Sequence, residues 1–315
     1  PGFSRFNLSG EGTAEWLRGQ ITGALPKIGR MNLAYFADQR GRILTEMSLL
    51  RHDEDHFTLI TAAAAQWHDF DVLRPAGQAG LRLIDHTGDY STLIVTGPQS
   101  RDLFQSLDTQ ADLYAPWLSH QMARVAGVDC ALARVSFAGE LGWEIHAANK
   151  DIPILYAAVI GAGAKPFGMW ALNALRMEKG YRAWKGALST DYTVLQGGLD
   201  RFVKLDKPQE FPGKAALLRE QQTGPTKRFV TLVIDAGDQD APYMSTVSYK
   251  GDVVGETTSG DWGYRVNKSI AFAMVRADLA QAGTELEVDI FGVPRHATVQ
   301  PDAPLWDPEN KRLRA

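Results

Sequence analysis

Residues 171–207 read ALNALRMEKGYRAWKGALSTDYTVLQGGLDRFVKLDK, and the organisation of the chain follows from how this stretch breaks. An amphipathic run that begins just upstream carries Met169, Leu172 and Leu175 at helical spacing, and Gly180 stops it. A polar loop then leads to the pair Gly197 and Gly198, after which Leu199 to Leu205 reads as a β-like segment. The expectation is therefore helix, loop and extended segment, placed between two regions with different sequence rhythm.

Composition bounds the possible classes. A chain of 315 residues has ample length for a large core and for two or three domains. The formal net charge of −4 and a charged fraction of 22% argue against a nucleic-acid binder, which presents a basic face. Cys130 is the single cysteine, so neither an intrachain disulfide nor a cysteine metal cluster is expected, and a reducing compartment fits. No apolar run approaches the ~20 residues that span a bilayer, and no signal-peptide pattern occurs. The sequence starts at Pro1 inside what reads as folded sequence, so an upstream portion is expected.

Outward from the central stretch, the first two-thirds mixes helices and strands. Gly12 to Gly19 reads as a helix, Met31 to Phe36 as a strand, and Asp38 to Gly41 as the turn into a second strand, Arg42 to Leu50. Strict alternation on that second strand puts Ile43, Thr45, Met47 and Leu49 on one face and Leu44, Glu46, Ser48 and Leu50 on the other. His56 to Thr61, Leu81 to Asp85, Thr92 to Val95, Ala131 to Phe137 and Trp143 to Ala147 read as further strands. Ala62 to Leu73, Gln99 to Leu107 and Asp151 to Ile160 read as helices, with Pro98 at a helix start.

Residues 161–168, GAGAKPFG, lack the glycine spacing of a dinucleotide loop and follow a helix, so they read as a plain connection. After a helix over Gly213 to Glu220, short strands follow at close spacing: Phe229 to Ile234, Val247 to Lys250, Val253 to Glu256, Ile270 to Val275, Leu286 to Phe291 and Ala297 to Gln300. That rhythm predicts an all-β C-terminal domain, with the division at residues 1–222 and 223–315.

Several side chains are candidates for chemistry. Glu46 shares its expected strand face with Leu44 and Leu50; if it is buried there its carboxyl pKa rises and proton handling becomes possible, whereas an exposed edge carboxylate is the plainer reading of the strand alone. Glu144 by itself reads as a surface strand carboxylate. Leu33, Ile60 and Tyr35 read as packed residues, with Tyr35 on the same strand face as Leu33. His146 shares a face with Glu144, but no second ligand stands at metal spacing, so no metal is expected. Trp262 and Tyr264 read as buried packing.

The wording of three segments goes further. The LRMEKG helix followed by GLDRFVKLDK, the later Thr257–Val275 string TTSGDWGYRVNKSIAFAMV, and Phe137–Ile145, FAGELGWEI, each resemble elements of the aminomethyltransferase family, the T-protein of the glycine cleavage system and its relatives. The segment from Pro26 to Ala64, the ALN-x-LR-x-EK variant and the ending DPENKRLRA are most similar to the folate domain of dimethylglycine and sarcosine dehydrogenases. The resemblance implies an α+β fold with three lobes, two of them α+β and the third a C-terminal β-barrel. It implies tetrahydrofolate between the lobes and capture of a carbon from an N-methylated amine as 5,10-methylenetetrahydrofolate. FAD would reside on a missing or separate upstream oxidase or dehydrogenase partner, in a bacterial cytoplasm or a mitochondrial matrix.

Residue by residue, the resemblance places Glu46 at the family's essential acid, where aspartate is usual, and Glu144 at the glutamate that pairs with the donor edge of the pterin. Leu33 and Ile60 match pocket-lining positions, Phe137 replaces a tyrosine with stacking retained, and Tyr35 becomes a neighbour of the one-carbon site. Departures are Thr45 beside the acid, and Leu172–Asn173 where the glycine-cleavage enzymes carry an arginine. The alternatives within the same likeness are a folate-dependent demethylase giving 5-methyltetrahydrofolate from a sulfonium or ether donor, or a noncatalytic folate-binding or docking domain. Tyr181–Arg182 and the missing cysteine there depart from the iron–sulfur assembly subgroup.

Overall fold

The computed structural model describes residues 2–315. Fifteen strands run in chain order: β1 Phe3–Ser9, β2 Met31–Ala37, β3 Ile43–Arg51, β4 His56–Ala62, β5 Arg82–Asp85, β6 Tyr90–Thr96, β7 His120–Val125, β8 Val128–Ala133, β9 Gly142–Ala148, β10 Lys227–Ile234, β11 Thr246–Tyr249, β12 Asp252–Gly263, β13 Lys268–Arg276, β14 Glu285–Ile290 and β15 Val293–Val299. The α-helices are α1 Thr13–Arg18, α2 Gln66–Leu73, α3 Pro75–Gln78, α4 Ser100–Ser106, α5 Ile152–Gly161, α6 Met169–Glu178 and α7 Lys214–Thr223.

The strands form a five-stranded sheet in the order β2-β3-β4-β1-β5, a four-stranded sheet in the order β6-β9-β8-β7, and a closed barrel β10-β13-β12-β11-β14-β15. The expected α+β fold with three lobes and a C-terminal barrel is what the chain adopts. Each lobe has its own apolar core. Phe6, Leu8, Met47, Leu49, Phe57 and Leu59 pack with Leu17 of α1 and Leu73 of α2 in the first. Trp143, Ile145 and Leu132 pack with Phe104 of α4 and with Leu155 and Val159 of α5 in the second. Val230, Leu232, Val247, Val288 and Val299 fill the barrel. The outer faces of the two sheets are covered in this way, which leaves their inner faces to meet through Met31, Leu50, Ile60 and Ala133.

Five local expectations change. β1 is an additional strand, and its alternation of Ser4, Phe6 and Leu8 inward is the period-2 signal for it. β7 is also additional, and β8 stops at Ala133 instead of continuing to Phe137. Leu199 to Leu205 is not a strand: Asp200–Phe202 is a 3-10 turn, with Phe202 N–H donating to Leu199 O at 2.8 Å and Lys204 N–H to Thr22 O at 2.9 Å. No neighbouring strand offers that segment a ladder, so its apolar residues pack instead against Tyr35 and Ile43. The alternation in β3 is broken by a bulge between Phe36 and Ala37, which pair with Thr45 and Ile43 and leave Leu44 extra. Leu44 therefore joins the core of Met47 and Leu49, while Ile43 joins Tyr35 on the other side.

Two smaller corrections concern burial and helix extent. Tyr264 is 77% exposed rather than packed, and Met169 at the start of α6 is 75% exposed. The alanine run at 62–65 ends β4 and forms a 3-10 turn before α2 begins at Gln66.

Candidate functional site

A cavity of ≈1960 Å³ opens where the lobes meet, larger than the ~300–1,000 Å³ of ordinary small-ligand pockets. Leu33, Tyr35, Glu46, Ile60, Phe137 and Glu144 all line it. Sheet pairing explains the first four. Leu33, Ser48 and Ile60 stand opposite one another across β2, β3 and β4, and Tyr35 is opposite Glu46 one step further along. Leu33 is 36% exposed into this space and Ile60 is 5% exposed, so one presents an open apolar surface and the other a packed floor.

Glu46 is half-buried, and the Tyr35 hydroxyl donates a short hydrogen bond to its Oε2. Burial pushes the Glu46 carboxyl up to about 7, against the smaller opposing influences of the Tyr35 hydrogen bond and the Arg182 cation. Burial and the neighbouring carboxylate likewise drive the Tyr35 phenol well above its ordinary value, so it stays a donor. Tyr35 is 2% exposed and is braced by Phe202, whose ring lies 5.2 Å away. Thr61 Oγ1 donates to the Glu46 main-chain oxygen at 3.2 Å and also to buried Asp69, which ties β3 to β4 behind the carboxyl.

Glu144 lies on β9, where Trp143, Ile145 and Ala147 turn into the core and Glu144 and His146 turn toward the inner face. The Glu144 side chain is 11% exposed, and its Oε2 stands 3.2 Å from His146 Nε2. The other ring nitrogen, Nδ1, is 2.9 Å from Thr92 Oγ1 on β6. Glu144 accepts no side-chain hydrogen bond from the described residues, so its lone pairs are available to donors in the cavity. Phe137 stacks on Tyr181 with ring centroids 5.9 Å apart and planes 11° apart, making an aromatic ledge on the same wall.

The lobes are held around the cavity by groups the sequence did not single out. Arg265, in the turn from β12 to β13, donates to Leu175 O at 2.8 Å and Ala138 O at 3.1 Å and pairs with Glu178 and with Glu140 at 3.1 Å. Lys179, fully buried after α6, donates to Asp307 O at 2.6 Å and fastens the last segment over the cavity edge. Arg182 reaches the cavity wall from the loop after Gly180. Nothing in local periodicity marks these three: Arg265 and Lys179 partner residues far away in sequence, and Arg182 meets Gly197 and Gly198 across an irregular loop. Among the described residues no His, Cys, Asp and Glu group suits a metal ion, and no helix is long and apolar enough to cross a membrane.

The comparisons with known proteins agree on the whole chain. Residues 2–207 match the family model for the GCVT N-terminal domain, and residues 227–307 match the glycine cleavage T-protein C-terminal barrel domain. Mitochondrial dimethylglycine dehydrogenase of Rattus norvegicus is 33% identical over 99% of this chain, which spans 38% of that protein's length. An aminomethyltransferase of Symbiobacterium thermophilum is 30% identical, with 90% of this chain and 78% of that protein covered. The solved aminomethyltransferase T of the Bartonella henselae glycine cleavage system superposes with a TM-score of 0.89 over 98% of this chain and 85% of its own, at 22% identity, and so shares the fold. With both lobes and the barrel accounted for, the chain belongs to the glycine cleavage T-protein family of aminomethyltransferases.

Proposed function

We propose that this chain performs tetrahydrofolate-dependent one-carbon transfer, taking up the carbon released by oxidative demethylation of an N-methylated amine of the dimethylglycine or sarcosine type as 5,10-methylenetetrahydrofolate. The observation that carries the reading is the pair of unlike carboxyls, Glu46 and Glu144, presented by two separate sheets to one cavity. The family and the relatives named dimethylglycine dehydrogenase and sarcosine dehydrogenase support the donor class. Because the chain spans 38% of the rat dimethylglycine dehydrogenase, a flavin-dependent domain or subunit is proposed as the source of the oxidised donor.

The residues present fit a folate. Buried Glu144 has open acceptor positions for the N–H edge of a pterin, and the Phe137–Tyr181 ledge and Leu33 offer flat apolar contacts. Tetrahydrofolate supplies nucleophilic nitrogens to which the carbon is bonded. Glu144 fixes ring orientation as a hydrogen-bond acceptor, and His146 keeps Glu144 turned inward. Glu46, with a carboxyl that changes protonation near neutrality, takes a proton at Oε1 while Tyr35 holds Oε2. Most of the rate gain comes from holding donor carbon and acceptor nitrogens together in a site walled by Tyr35, Ile60 and Phe137.

Calorimetric titration of the chain with tetrahydrofolate, alongside Glu144→Ala, tests the reading. Binding that the substitution abolishes supports it, and absence of binding in both proteins overturns it. Single-turnover capture of formaldehyde then separates binding from chemistry: Glu46→Gln retains tetrahydrofolate affinity and slows capture ~100-fold, the scale of a lost general base.

A further inference from the structure

Arg182 is fixed on three sides. Its Nε–H donates to Gly197 O at 2.6 Å, an Nη2–H donates to Gly198 O at 3.2 Å, and the guanidinium carbon lies 3.8 Å from the centre of the Phe229 ring. Gly198 is required for this arrangement. Its φ is +63°, and a Cβ there would stand 2.8 Å from Arg182 Nη2. The glycine pair in the central stretch thus lets the backbone approach and grip a guanidinium that lines the cavity together with Tyr35 and Glu46.

What Arg182 lacks is a counter-charge. No carboxylate oxygen of the described residues comes within 4.0 Å of its nitrogens, and Nη1 makes no hydrogen bond with them. Arg182 is half-buried, and a cation drawn part-way out of water without an anionic partner is costly to a fold; here both carbonyls and the ring face only moderate that cost. The surrounding charges do not cancel it. Asp302 on the same wall is exposed and outside ion-pair distance, and Arg201, whose guanidinium lies 4.8 Å from the Phe202 ring, adds a second cation. Glu46 has its pKa raised to about 7, so at neutral pH it supplies only part of a negative charge.

We propose that Arg182 binds a ligand carboxylate beside Tyr35 and Glu46, through Nη1 and the free hydrogen of Nη2, as a planar fork of the kind carboxylates take. Two sources carry that chemistry: a small N-methylated amino acid delivering the carbon, and the glutamate portion of the folate. The inference rests on the one-carbon transfer reading and names what the donor must carry.

The test compares wild type with Arg182→Gln and Arg182→Lys, each first shown to melt cooperatively. N,N-dimethylglycine and its carboxamide, which lacks the carboxylate, are titrated, followed by tetrahydrofolate and tetrahydropteroate in its carboxamide form, which lacks the glutamate and every carboxylate. Loss of a charge-assisted fork weakens binding ~10- to 100-fold. The expected result is that loss for dimethylglycine in Arg182→Gln, with both carboxamides unchanged. A loss confined to tetrahydrofolate supports the carboxylate site with the folate glutamate as its source. Equal affinity of every carboxylate in wild type and variant overturns the proposal. Should the glutamine variant fail to fold, Arg182→Lys, which keeps the charge and loses the fork, serves the same comparison with a smaller expected loss. Carboxylate binding through Arg182 with no tetrahydrofolate binding in wild type leaves this site standing and fails the one-carbon reading instead.

Discussion

The barrel interior and the cavity wall treat their side chains in opposite ways. Inside the barrel, Val230, Leu232, Val247, Val288 and Val299 fill the space with aliphatic groups, and closure of the six strands leaves no open edge. Around the cavity, Glu46, Glu144, Arg182 and His146 are held at or near burial by hydrogen bonds and rings drawn from separate lobes. One region contributes stability through packed area, and the other gives some of it up to keep reactive groups in place.

The largest expected effect comes from the barrel. Leu232 is 0% exposed, and Leu232→Ala should cost ~2–5 kcal/mol in urea denaturation while leaving the tetrahydrofolate dissociation constant unchanged under native conditions. A large change in affinity would erase the distinction between the two regions.

Glu46→Gln tests the reverse behaviour. Because the folded chain raises the Glu46 pKa from 4.5 to about 7, the contribution of this group is fully present below about 4.5 and is lost as pH rises through about 7. Glutamine does not ionise. The variant should therefore be more stable than wild type at pH 8, by ~3 kcal/mol at full ionisation, and nearly equal to it at pH 4. Denaturation curves at the two pH values check this, and a variant less stable at pH 8 would reverse the picture of a strained acid.

Glu144→Ala should weaken tetrahydrofolate binding ~100-fold, about 2–3 kcal/mol, with little change in melting temperature. Gly198→Ala sharpens the link between backbone and cavity. A left-handed φ and a Cβ 2.8 Å from Arg182 should cost ~1–2 kcal/mol of stability and, on the carboxylate proposal, the dimethylglycine affinity as well. The smallest effect is expected of Thr92→Val, which removes the hydrogen bond to His146 Nδ1; a loss of ~1 kcal/mol, read as a several-fold weaker tetrahydrofolate complex, would show that orientation of Glu144 passes through His146.

The readings that succeeded and failed separate along physical lines. Alternating short strands with turns between them specified the C-terminal β domain, because interior and exterior faces of a barrel strand differ at every step. The hairpin of β2 and β3 was legible for the same reason, yet its bulge at Leu44 was not, since the extra residue is defined only by the partner strand. Leu199 to Leu205 carried a strand-like composition and became a turn because no strand stands beside it. β1 is not legible in the sequence although Phe6 and Leu8 alternate inward, because a short alternating pattern next to a helix is a weak signal alone.

For the candidate site, Glu46, Glu144, Leu33, Ile60 and Phe137 can be named from motif wording and Tyr35 from sharing the strand face of Leu33, and the fold puts all six on one cavity. Arg182, Arg265 and Lys179 cannot. The amino-acid sequence by itself determined the periodic elements, the family likeness and the residue types available for chemistry, because these are properties of neighbours along the chain. Only the tertiary structure decided that Glu46 meets Tyr35 and titrates near neutrality, that His146 backs Glu144, and that Arg182 stands without a counter-ion. Burial and charge pairing are set by groups brought together from distant positions, such as Glu178 with Arg265 and Lys179 with Asp307, and no local pattern records those distances.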